Sequence, residues 1–325
     1  MWVGTDEGLR RYDGFVFTTL SNGQLAAAKT TAMTEDGAGT VWLGTTDGLR
    51  AVRDGAVEHI DLGEAGGPVA VERLFVADDT AVWIGTNDGL VRYHRGAAQR
   101  FDRQVLLGQS DSLAQRTPQT RSTLVDSSFV RAFVQDRRGA IWMATSDGLL
   151  QYSDGKFRAL STADGLPSNE LQTVVEGERG VLWIGTADGL SAYDGQTVTN
   201  YSTDEGLPSN WIDDVLVAAD GSVWVATLRG LSQYDGTAFR TITQRDGLRG
   251  NAVRALFETD DGTLWIVTDQ GMSLLRDGHL VDWQGGNGLS YGRVHAVVQA
   301  RDGVVWLATD EGVIRYDGEI GRAHV

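Results

Sequence analysis

Residues 182–195 read LWIGTADGLSAYDG, and strings of the same form recur along the whole chain. Aligned on the tryptophan they fall at Trp2, Trp42, Trp83, Trp142, Trp183, Trp224, Trp265 and Trp306, spaced by 40, 41, 59, 41, 41, 41 and 41 residues. Thr stands three residues after every one of these tryptophans and Gly six after, without exception. A fixed period of this length marks an array of one supersecondary unit.

Within a unit, four short apolar runs alternate with turn residues, as in AVRALFET, TLWIVT, MSLLR and HLVDW between residues 252 and 283. Helical periodicity is absent. The Gly six residues past Trp predicts a tight hairpin that needs positive φ, with the Asp before it bonding its own backbone, and the DG pairs such as Asp194-Gly195 predict a second turn. A four-stranded unit has two apolar faces and cannot bury them alone, so neighbours must stack. The expected fold is all-β: a β-propeller of four-stranded antiparallel blades. Each Trp is expected to bury roughly 150–250 Å² between blades.

Composition narrows the function. Forty-four acidic residues against twenty-eight basic ones give a net charge of −16, which repels phosphate backbones and argues against nucleic acid as a partner. The chain has no cysteine, so disulfides, thiolate nucleophiles and cysteine zinc sites are excluded. No apolar run approaches the roughly 18 residues that span a bilayer. The histidines are scattered, and no metalloprotease, nucleophile-elbow, phosphate-loop or calcium-loop motif occurs, so no catalytic residue, metal site or cofactor is assigned.

The string (I/L/V)W(I/L/V)(G/A)TxDGLxxYDG, linked by DGLPSN at 164–169 and EGLPSN at 205–210, resembles the two-component regulator propeller repeat, and the resemblance covers residues 1–318. It implies the ligand-binding sensor region of hybrid histidine kinases or cyclase-linked receptors: periplasmic, bacterial and non-enzymatic in itself, signalling to a kinase or diguanylate cyclase domain in the same chain, with a homodimer as the possible assembly. It also favours seven blades, with eight as the alternative. On the seven-blade reading, residues 1–292 form a propeller truncated at its first blade, and 293–318 start a second propeller or close the first. The sequence opens inside a second strand, and EIGRAHV at 319–325 matches a translated sequencing adapter and is expected to be non-native.

Function is expected where the repeats disagree. Eleven residues before each Trp stand Thr31, Glu72, Arg131, Gln172, Asp213, Arg254 and His295, each preceded by an apolar residue or Thr30. Glu170, Trp211 and Arg293 lie two positions earlier in their repeats. These ten residues form the candidate site for a small molecule or oligosaccharide, since a few polar groups in an apolar lining suit such ligands. The alternatives are a protein-interaction scaffold or a propeller lyase or hydrolase using His295 with Glu72 or Asp213. The insertion at 103–124, rich in arginine, is a second candidate binding element.

Overall fold

The computed structural model describes residues 1–5, 8–19, 29–63, 69–86, 89–102, 130–283, 293–316 and 322–324. Its strands form eight antiparallel sheets, one of three strands and seven of four, each taken up in chain order, so this β-propeller has eight blades rather than the favoured seven. The three-stranded sheet is blade 1, Trp2–Thr5, Gly8–Tyr12 and Phe17–Thr19. Blade 8 comprises Val294–Gln299, Val305–Thr309, Gly312–Tyr316 and Arg322–His324, so the suspected tail supplies its fourth strand. The chain divides into two compact units, residues 1–165 with 169–171, and residues 166–168 with 172–325. The insertion at 103–124 and Tyr291 lie outside the described residues.

The second strand of each blade from 2 to 8 begins one residue before its Trp and ends at the Thr three residues after it. It lies between the first and third strands, and its Trp is nearly buried. Apolar clusters form between successive blades within each unit. Trp42, Leu49 and Ile60 of blade 2 meet Val71 and Ile84 of blade 3, and Trp224 and Leu231 of blade 6 meet Val253 and Leu264 of blade 7. The Tyr of the YDG string belongs to this layer. Trp42 meets Tyr93 of the next blade with ring centroids 5.6 Å apart, Trp83 meets Tyr152 at 4.8 Å, Trp183 meets Tyr234 at 5.5 Å and Trp265 meets Tyr316 at 5.2 Å, in edge-on geometry. Trp283 joins Trp265 and Tyr316 in the same way and is a packing residue.

The invariant Thr and Gly act as a pair. From blade 2 to blade 8 the Thr hydroxyl donates to the carbonyl of the Gly three residues on, at 2.6–3.1 Å, closing the turn between second and third strands. The Gly takes φ between +123° and +152°, as the turn required. At Gly189 a Cβ would also stand 2.9 Å from the carbonyl oxygen of Tyr201. The expected role of the preceding Asp differs: Asp47 holds Arg50 and accepts from Thr45, while Asp188 accepts from Asn210 of the next connection. The YDG turns do behave as expected. Asp194 Oδ1 accepts from Gln196 N and Thr197 N, and Asp235 Oδ1 from Thr237 N and Ala238 N.

The GLPSN connections are built modules. Ser161, Ser202 and Thr243 each cap a one-turn helix in a reciprocal pair with Asp164, Glu205 and Asp246, and Gly165, Gly206 and Gly247 close it at φ near +105°. Asn169, Asn210 and Asn251 then accept, at 2.8 Å, from the backbone N–H at the start of that turn, and Leu166, Leu207 and Leu248 are each 3% exposed.

Candidate ligand site

The first strand of six blades, 2, 3, 4, 6, 7 and 8, carries a break in its ladder. Register shifts occur between Thr30 and Ala32, Val71 and Arg73, Val130 and Ala132, Ile212 and Asp214, Val253 and Ala255, and Val294 and Ala296. The residue skipped is Thr31, Glu72, Arg131, Asp213, Arg254 or His295. The varied polar positions are therefore the extra residues of β-bulges, which leave the ladder unpaired and re-aim a side chain. The apolar residue before each bulge packs into the neighbouring blade: a Cβ on Gly44, Gly85 or Gly185 would collide with Val71, Val130 or Ile212. In these three blades the Gly two residues after Trp makes room for it.

In the first unit, Arg131 donates to Glu170 at 3.1 Å with its side chain 10% exposed. Its backbone carbonyl accepts from Arg73 Nε at 3.0 Å, tying two blades, and the Thr31 hydroxyl does the same toward the Val71 carbonyl. Glu72 is half-buried, and its enclosed Oε2 has no hydrogen-bond donor among the described residues.

In the second unit, Asp213 accepts from Trp211 Nε1 and from Arg254, each at 3.0 Å, which joins blades 6 and 7. Gln172 is half-buried and Arg293 is exposed. His295 is bonded to Asp310 in its own blade rather than to Asp213, and Asp310 also accepts from Arg293 N at 2.9 Å. The connection into blade 7 meets that blade's own second-to-third turn and third strand here. Arg249 N donates to Ser273 Oγ, and Gln244 Nε2 to Gln270 Oε1.

Sequence reasoning missed Asp214, one residue past a bulge. Its carboxylate accepts from Leu256 N of blade 7 at 3.0 Å, Val215 N at 2.9 Å and the Thr173 hydroxyl of blade 5 at 3.4 Å, so it ties three blades. Desolvation pushes it up to about 6, against these hydrogen bonds, which favour the ionised form. Its polar equivalents, Arg73 and Thr173, were the available signal, since this position is Ala in four other blades. Among the described residues no group of three or more His, Asp or Glu is placed to hold a metal ion, and no helix is long and apolar enough to cross a membrane.

The two component regulator propeller family model matches residues 247–270, which run from the connection into the second strand of blade 7. Residues 247–270 thus carry one repeat of the two component regulator propeller type. Its fold is similar to the extracellular domain of the putative hybrid two component system BT3049 from B. thetaiotaomicron, with TM-score 0.65 and 20% identity over 89% of this chain and 39% of that one. The corresponding domain of BT4673 from B. thetaiotaomicron gives TM-score 0.50 and 16% identity over 99% of this chain and 52% of that one. This chain thus spans only about half or less of those domains. Virginiamycin B lyase from Staphylococcus aureus, solved as a catalytically inactive variant with quinupristin, gives TM-score 0.59 and 14% identity, covering 89% and 94%. At these identities the likeness establishes the fold. No curated protein matches.

Proposed function

We propose that this propeller is the extracytoplasmic, periplasmic sensor region of a two-component-type receptor. It binds a small molecule or oligosaccharide at the first-strand bulges and signals to a kinase or diguanylate cyclase in the same protein, acting as a homodimer. The observation that carries this reading is the bulge itself. Six blades use the same backbone irregularity to present five kinds of polar side chain, which is how a repeated scaffold acquires a non-repeated surface. Trp211, Asp213 and Arg254 offer a ring face, an acceptor and a donor side by side, the combination a sugar ring engages. The similar domains of hybrid two component systems support the sensor role. The test is a thermal-shift screen with neutral and acidic glycans. At least one glycan should raise the melting temperature, and Asp213→Ala with Arg254→Ala should abolish that rise; an unchanged rise refutes the site.

A further inference from the structure

The tryptophans of blades 2, 4 and 7 share one repeat slot but differ in what meets their indole N–H. Trp42 Nε1 donates to Asp36 at 2.9 Å and Trp142 Nε1 to Asp136 at 2.8 Å, the carboxylate standing six residues before each ring. The second oxygen of that carboxylate accepts two backbone N–H groups of the turn. Blade 7 has Thr259 at this position. Its hydroxyl is turned away, to Asp261 at 2.7 Å and the Thr263 carbonyl at 3.0 Å. Trp265 is 1% exposed, and among the described residues its Nε1 has no acceptor. A buried donor left without a partner is destabilising, and blade 7 leaves unmet the donor that blades 2 and 4 satisfy.

A groove of about 480 Å³ opens there between blades 7 and 8, its wall including Thr259, Asp260, Asp261, Trp265, Arg276 and Tyr316. Thr259 stands at the sequence position of the carboxylate in blades 2 and 4, and both Thr259 and Trp265 line the groove. Arg276 holds Thr263 Oγ1 through Nε at 3.0 Å and stands 3.7 Å from Asp261, leaving part of its guanidinium at the groove.

We propose that this groove is a second ligand site, independent of the bulge site, for a small zwitterion of the amino-acid type. The ligand carboxylate takes the role that Asp36 has in blade 2, accepting from Trp265 Nε1 and Arg276. The ammonium group is met by Asp260 and Asp261. Because Nε1 is covered, entry requires Thr259 to rotate, which releases its hydrogen bond to Asp261 and frees that carboxylate for the ammonium. A simple anion would face two aspartates, a simple cation would leave the indole and guanidinium donors unserved, and a neutral sugar has no charge to offer Arg276.

The test follows the indole N–H resonances of the ¹⁵N-labelled chain during titration with glycine, with acetate, methylammonium and glucose as comparison probes. The Trp265 resonance is assigned from its loss in Trp265→Phe. Glycine should move it saturably, and each comparison probe should move it less. Thr259→Asp supplies the carboxylate from the chain itself; it should shift the resonance beforehand and abolish the response to glycine. Arg276→Gln should weaken glycine binding roughly tenfold, the loss of about one charge-assisted hydrogen bond. A resonance that glycine leaves in place, that glucose moves as far, or that still responds fully in Thr259→Asp overturns the proposal.

Discussion

Two stretches of each blade lie within about fifteen residues of each other and follow opposite rules. At the turn between second and third strands, blades 2 to 8 repeat one arrangement: a Thr hydroxyl on a Gly carbonyl, with that Gly at positive φ. At the first-strand bulge the backbone irregularity recurs but the side chain does not, giving Thr31, Glu72, Arg131, Asp213, Arg254 and His295. The turn is closed and buried, so its chemistry is fixed by geometry. The bulge residue has left the ladder and its packing, so almost any polar group is tolerated there. Identity across repeats thus marks stability, and under the proposed function variation at a fixed backbone position marks recognition.

The anchors should be costly to remove. Trp83→Ala empties a site 1% exposed among Phe101 and Tyr152, and should destabilise by about 3–5 kcal/mol in chemical denaturation. Asp214 behaves as an anchor although it adjoins a bulge. Its carboxyl holds its proton more tightly in the folded chain, near 6, than at its ordinary 3.8, so ionisation weighs against the folded state. Stability from this group is therefore greatest below about pH 4 and falls as pH rises through 6, by at most about 3 kcal/mol. Asp214→Asn should flatten that part of the stability–pH curve. Asp47 and Asp235, both held near 2, act oppositely, but only below the ordinary carboxylate range. Hydrogen bonding to Arg50 is the main cause for the first, and to Thr237 for the second. Thr186→Val keeps the shape of a fully buried residue and removes its bond to the Gly189 carbonyl, which should cost about 1–2 kcal/mol. Arg254→Ala at a bulge breaks only a partly exposed ion pair with Asp213 and should change stability by no more than about 0.5 kcal/mol.

The period, the four-stranded unit and the positive-φ glycines were legible in the sequence because each repeats a local requirement of the chain. The interval from Trp to the polar position was equally plain, yet its meaning was not. Counting residues cannot tell a paired strand position from the extra residue of a bulge, since the distinction lies in the register against the second strand. Asp214 was passed over for the same reason: one residue's shift turns a side chain from the open edge of the strand toward the neighbouring blades. The blade count depended on how units assemble beyond a single repeat, which no local pattern encodes. In the sequence the GLPSN strings read only as links between repeats. Their Ser, Asp or Glu, Leu and Asn are instead occupied in capping and packing.

The most direct measurement compares ligand-induced melting shifts in two variants of the whole chain, Thr186→Val at a turn and Asp213→Ala with Arg254→Ala at the bulges. The account predicts a lower melting temperature with an intact ligand shift for the first, and a nearly unchanged melting temperature with no ligand shift for the second. A bulge variant that still responds fully to the ligand, or a turn variant that alone loses the response, would contradict it.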